Sequence, residues 1–207
     1  MYFIKTPFWL RLIYRSCIWR KPNQDRVLYL SFDDGPHPEA TPFVLEQLAI
    51  FNAKASFFCI GKNVQLYPEI YTTLMDANHT VGNHTQNHMN GWKNNTANYI
   101  EDIQTATKSI NSHLFRPPYG KIRFAQIKAL RSNLSLPQDI IMWDVLSADF
   151  DTSISPEKCL ENVLKNVKSG SIIVFHDSIK AFPNLEYTLP KALQYWAAKG
   201  FVCDAIK

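Results

Sequence analysis

A chain of 207 residues, 46% hydrophobic and 19% charged with 7 glycines, has enough apolar mass for its own core and falls outside the compositions of disordered, collagenous and low-complexity proteins. Its four cysteines, Cys17, Cys59, Cys159 and Cys203, stand 42, 100 and 44 residues apart with no CxxC pair, which excludes a disulfide scaffold and suits reduced, buried thiols. The formal charge of +4 sits at the start: residues 1–26 carry six cations against Asp25, a net +5 that leaves −1 for the remainder, so the body lacks the basic stripe of a nucleic-acid binder.

In chain order, the leader MYFIKTPFWLRLIYRSCIWRKP comes first. Arg11 and Arg15 break it into apolar runs too short for a bilayer span or a signal-peptide core, and no A-x-A site follows. On a helix, Phe8, Trp9, Leu12, Ile13 and Cys17 share one broad face with Arg11 and Arg15 on another. Such a segment suits an interfacial helix on an anionic membrane surface through residues 1–20, or a helix packed on the domain's own core with its arginines in water, the more common arrangement. Residues 1–25 are therefore read as a basic amphipathic segment ahead of one domain over 26–207.

From Arg26 onward, short apolar runs alternate with helix-period segments. Strands are expected at 27–32, 53–60, 79–82, 139–143, 171–175 and 201–205, with a further short one at Leu114 and Phe115. Helices are expected at 41–51, 64–77, 97–112, 124–131, from an N-cap at Ser155 to just before Gly170, and near 190–199. The alternation implies an α/β fold with a mainly parallel sheet, open or closed into a barrel. Asp33-Asp34, His84, Asp144 to Asp149 and His176 fall just past strand C-termini, where sites of both architectures are built.

The chemistry concentrates in those residues. His84 and His88, four apart, can reach one ion, and a carboxylate completes a three-ligand site with an open position; Asp-Asp-Gly-Pro also has an ordinary reading as turn chemistry. Arg116 precedes two prolines that hold the backbone extended, which suits a positioned partner for a carboxylate. The apolar run Ser171 to Phe175 ends in His176-Asp177, a candidate acid or base opposite the acidic pair, with a structural histidine as the alternative. His37 and His113 read as solvated and His79 as a cap or packing residue, while Trp92, Tyr119, Trp143 and Phe182 are candidates for stacking on a ring or for rim packing.

Together LYLSFDDGPHP, NHTQNH, RPPYG, MWDVLSADF and IIVFHD resemble, in order and spacing, the five motifs of the polysaccharide deacetylases, carbohydrate esterase family four. The resemblance spans about residues 27–205. It implies a single-domain deformed (β/α) barrel of about seven mainly parallel strands, acting as a metal-dependent hydrolase that removes N-acetyl groups from N-acetylglucosamine-type glycans such as peptidoglycan or chitooligosaccharides. Carried over by position, Asp34, His84 and His88 match the ligands of a divalent ion, usually Zn²⁺. Asp33 matches the catalytic base, Arg116 its orienting partner, Tyr119 an oxyanion-hole amide donor and His176 the general acid. One departure stands out: the fourth motif usually reads Asp-x-x-Asp-Trp, and here it is Leu146-Ser147-Ala148-Asp149-Phe150. Asp149, or failing it Asp144, is the expected carboxylate behind His176. The competing readings are a silent glycan-binding module and a hydrolase of another amide. The expected compartment is the cytoplasm or the cytoplasmic face of the inner membrane.

Overall fold

The run VLYLSF occupies the centre of the sheet. In the computed structural model, which describes residues 2–21 and 26–207, it forms β1 (Val27–Asp33), with Leu28, Leu30 and Phe32 fully buried. Beside it lie β2 (Ser56–Cys59) and β7 (Ile172–His176), both nearly continuous apolar runs, the pattern of parallel strands covered on both faces. Outward from β2 come β3 (Thr80–Asn83), β4 (Leu114–Phe115) and β5 (Asp139–Ile140), and outward from β7 comes β6 (Val145–Leu146). The order is β5-β4-β3-β2-β1-β7-β6, with β8 (Val202–Asp204) paired to the first half of β1. Every strand pairing among the described residues is parallel, and the curled sheet is the deformed (β/α) barrel expected.

Register fixes what meets at the C-terminal edge. Asp33 stands opposite His176 on one side and Phe58 on the other, and Asn83, the residue before His84, pairs with both Cys59 and Phe115. The helices α2 (Ala40–Ile50), α5 (Thr96–Thr107), α6 (Phe124–Arg131) and α7 (Pro156–Asn166) lie close to the expected spans, and the Ser155 side chain accepts from the Lys158 amide at 3.3 Å as an N-cap. Two helices differ. The segment 64–77 is split into α3 (Gly61–Leu66) and α4 (Pro68–Asp76), because Pro68 drives Tyr67 out of the helical region, to φ −129° and ψ 58°. The last helix, α8 (Phe182–Ala198), starts well before Pro190: Leu185, Leu189, Leu193 and Trp196 form one buried stripe that carries the helix through the proline.

The N-terminal segment bridges the interval between β5 and β6. The Met142 amide donates to the Ile18 carbonyl and the Leu146 amide to the Ile4 carbonyl, each at 2.8 Å, while Thr6 donates to the Asp144 carbonyl at 2.9 Å. Its helix α1 (Phe8–Ile13) has only six residues, none of them buried. The packing reverses the arrangement of an apolar face inward and arginines in water. Phe8, Trp9, Leu12 and Ile13 are exposed, whereas Arg11, Lys5 and Arg20 turn inward onto the fully buried Asp144, with Lys5 Nζ at 2.7 Å and Arg20 Nε at 3.4 Å. A carboxylate with no access to water needs countercharge, and the segment supplies it. Cys17 and Trp19, past the helix, are buried against α6 in the second core cluster.

Candidate active site

Asp33 ends β1, and its carboxylate is 4% exposed. Arg116, fully buried after β4, holds it: one guanidinium nitrogen donates to Asp33 Oδ1 at 2.6 Å and to Ser31 Oγ at 2.8 Å. Nε and the second nitrogen donate to the carbonyls of Ile141 and Met142, each at 3.2 Å, and the guanidinium lies 4.0 Å over the Phe58 ring. Burial alone would lower the guanidinium pKa, against the pull of Asp33, and the balance is lowered; the pair is nonetheless saturated with partners, which fixes one rotamer for each.

Asp34 continues into the turn with φ 79°, a left-handed conformation for a non-glycine residue, followed by Gly35. A Cβ at Gly35 would sit 2.1 Å from Asp177 Oδ2, so this close approach admits no side chain. Asp177 is buried and accepts from the Gly35 amide at 3.2 Å and from Thr41 Oγ1 at 2.6 Å; burial, with Asp34 and Asp33 adding to it, pushes its carboxyl up to about 8.

His84 and His88 leave β3 on a loop that is also left-handed at Thr85 and His88. The His84 Nδ1 lies 2.8 Å from the Arg116 carbonyl oxygen. A carbonyl only accepts, so Nδ1 carries the proton and Nε2 keeps its lone pair, the arrangement of a metal-ligating imidazole with its outer hydrogen bond in place. His84 Nε2 and His88 Nε2 approach Asp34 Oδ1 at 3.6 and 3.1 Å, and one donor atom from each of the three residues lies within 4.8 Å of the others. Asp34 Oδ1 is buried without a hydrogen-bond partner. An orphaned carboxylate oxygen facing two imidazole nitrogens is a donor set that could hold a divalent metal ion. Burial opposes the charge on Asp34, but His84, His88 and His176 outweigh it and hold the carboxyl well below the usual range.

His176 ends β7. Its Nδ1 is 2.7 Å from Asp149 Oδ1 and its amide donates to Asp149 Oδ2, also at 2.7 Å. Burial would lower the imidazole pKa, yet Asp149, reinforced by Asp34 and Asp33, overcomes it and raises the group to about 9. Of the two carboxylates weighed for this place, Asp149 occupies it; Asp144 points the other way, onto Lys5, Arg11, Arg20 and Ser171.

These groups line one cavity of about 500 Å³, which gathers Asp33, Asp34, His84, His88, His176 and Tyr119. Tyr119 is left-handed at φ 61°, and its ring packs on His88 with centroids 4.6 Å apart. Trp143 and Leu146 form an apolar wall, and Phe150 meets His176 edge-on at 5.0 Å. Tyr2 and Lys180 also line it, neither marked by any motif; Tyr2 arrives because the N-terminal segment is part of the barrel. Trp92 lines an adjoining cleft, whereas Phe182 packs edge-to-face on Phe43 beside the core, at neither cavity. His79 accepts from the Ala55 amide, His37 accepts from the amides of Glu39 and Ala40 at the start of α2 where solvation was expected, and His113 is an exposed partner of Asp139.

The polysaccharide deacetylase family model matches residues 20–133. A peptidoglycan-N-acetylglucosamine deacetylase of Bacillus cereus is 33% identical over 165 residues, 77% of this chain and 76% of that protein, and a chitooligosaccharide deacetylase of Azorhizobium caulinodans is 34% identical over 75% of each. The crystal structure of the Bc1960 peptidoglycan N-acetylglucosamine deacetylase, in complex with a naphthalenyl N-hydroxybenzamide, superposes with a TM-score of 0.85 at 29% identity, covering 97% of this chain and 95% of that one. The chain belongs to the polysaccharide deacetylase family.

Proposed function

We propose that the cavity removes the N-acetyl group from an N-acetylglucosamine unit of a glycan, with peptidoglycan strands and chitooligosaccharides as the substrate classes. The observation that carries this reading is the convergence of a saturated Asp33–Arg116 pair, a three-donor cluster and a carboxylate-backed imidazole on one cavity. Asp34, His84 and His88 would hold a divalent ion, with Zn²⁺ the best match to two imidazoles and a carboxylate. Bound there, it supplies Lewis acidity that lowers the pKa of water and polarises an acyl oxygen.

The remaining work falls to the chain's own residues. Asp33, with Oδ1 fixed by Arg116, takes a proton from the attacking water as general base. Because Arg116 is locked by five contacts to Ser31, Asp33, Ile141, Met142 and Phe58, the base keeps its orientation through the reaction. The backbone amide of Tyr119 is the donor assigned to the developing oxyanion. His176, protonated at neutral pH through Asp149, gives its proton to the leaving amine. Trp143, Leu146 and Phe150 wall off bulk water and offer apolar surface to the acetyl methyl or a sugar face.

The test is acetate release from chitooligosaccharides and peptidoglycan by the purified protein. Release is expected with Zn²⁺ and is expected to stop with a chelator and in Asp33→Asn. A metal-loaded protein that liberates no acetate from any N-acetylated glycan overturns the proposal.

A further inference from the structure

We infer that the face formed by α1 and α6 docks on an anionic lipid surface. Residues 1–24 hold five cations and no acid, and residues 114–138 hold five more and no acid; with a whole-chain charge of +4, the rest of the chain sums to −6. The fold joins these two stretches. Tyr14 stacks on Phe124 with centroids 5.0 Å apart, the Tyr14 hydroxyl donates to the Ile122 carbonyl, and Arg131 donates to the Ser16 carbonyl at 2.6 Å. Lys5, Arg11 and Arg20 are occupied by Asp144 and Arg116 by Asp33, while Lys21 donates to the Lys207 carbonyl and Lys121 lines the two cavities, which leaves Arg15, Arg123, Lys128 and Arg131 as the exposed cations.

Between them stand large apolar side chains that a monomer in water would bury. Phe8 is 73% exposed, Trp9 53%, Leu12 58%, Ile13 51% and Phe124 59%. Exposed aromatic and aliphatic groups fringed by arginine and lysine, on two stretches that themselves contain no acid, match the interfacial zone of a bilayer carrying anionic headgroups. The same segment opens toward the site. A cleft of about 180 Å³, walled by Tyr2, Phe3, Leu10 and Tyr14 on the segment's side, shares Tyr119, Trp143 and Leu146 with the catalytic cavity. Docking therefore brings the mouth to the headgroup layer, and, resting on the deacetylase reading, favours an N-acetylated sugar tethered to lipid.

Flotation of the full chain with vesicles of phosphatidylglycerol and phosphatidylcholine, against pure phosphatidylcholine, tests this. Binding is expected on the anionic vesicles alone, weakening with salt. It is expected to fall on the order of 100-fold in the triple variant Arg15→Gln, Arg123→Gln, Lys128→Gln, at about fivefold per charge. A comparable loss is expected in Phe8→Ser, Trp9→Ser, Leu12→Ser, whose substitutions all lie at exposed positions. Acetate release from soluble chitooligosaccharides is expected unchanged in both variants, which separates this inference from the deacetylase reading. No flotation, flotation that survives both triple substitutions, or a dimer that consumes the face and ignores lipid each overturns it.

Discussion

Burial works against a proton on His176, and the main influence that outweighs it is Asp149, which contacts both its ring and its amide at 2.7 Å. The consequence has a definite sign. A general acid must be protonated, so activity is expected to fall as pH rises through about 9, where the raised pKa lies. Asp149→Asn removes the largest raising influence and leaves the burial that opposes it. The alkaline limb of kcat/KM on a chitooligosaccharide is then expected to move toward, or below, the ordinary imidazole value of about 6.5, with neutral-pH turnover down on the order of 10²- to 10³-fold. A variant that keeps the parent pH profile would remove Asp149 from this role. The replacement of the family's first motif-four acid by Leu146 is consistent with the same division: the site retains a carboxylate at the position that touches the imidazole and has an apolar wall at the other. Left-handed backbone at Asp34, Thr85, His88, Tyr119 and Ala148, all in loops around the cavity, is the strain expected where geometry is dictated by chemistry.

At the scale of elements, the N-terminal segment is held by charge around α1 and by the apolar packing of Cys17 and Trp19 beyond it. Asp144 gathers Lys5, Arg11, Arg20 and Ser171, and backbone bonds at Ile4, Thr6 and Ile18 stitch the segment to both edges of the sheet. Asp144→Asn leaves three cations without their common partner. Because those cations are 23–31% exposed, the expected cost is at the lower end of that for breaking a buried ion pair, about 3 kcal/mol, or a Tm lower by roughly 6–12 °C for a domain of this size. The pH profile of the folded variant is expected to match the parent, in contrast to Asp149→Asn, and an unaltered Tm in thermal unfolding would sink the assignment. Sequence patterning missed this arrangement for a physical reason. Helical periodicity tells which residues share a face; it does not tell which way the face turns once a buried carboxylate elsewhere in the chain competes for the arginines. The two-residue strand β6 and the passage of α8 through Pro190 escaped for the same reason, since both depend on partners distant in sequence.

For the molecule as a whole, the class, the strand order's parallel sense and the main catalytic candidates were legible, because each motif sits directly after its own strand and a parallel sheet delivers all those ends to one edge. What supports them was less so: Ser31 and Phe58, which clamp Arg116, lie on two different strands and carry no local signal. The three donors are distributed likewise, Asp34 after β1 and the two histidines after β3, with β2 between. An ion that binds this set but not the unfolded chain therefore ties two strands of the folded sheet together and must stabilise it. At a free Zn²⁺ concentration 100 times its Kd, the gain is about 2.7 kcal/mol, a Tm rise of roughly 5–11 °C, reversed by chelation. Asp34→Asn and His88→Ala are expected to shrink that rise, whereas Trp92→Ala, outside the donor set, is expected to leave it intact. Scanning calorimetry with and without Zn²⁺ reads this independently of any substrate, and an equal rise in all three variants would mean that the ion binds somewhere else.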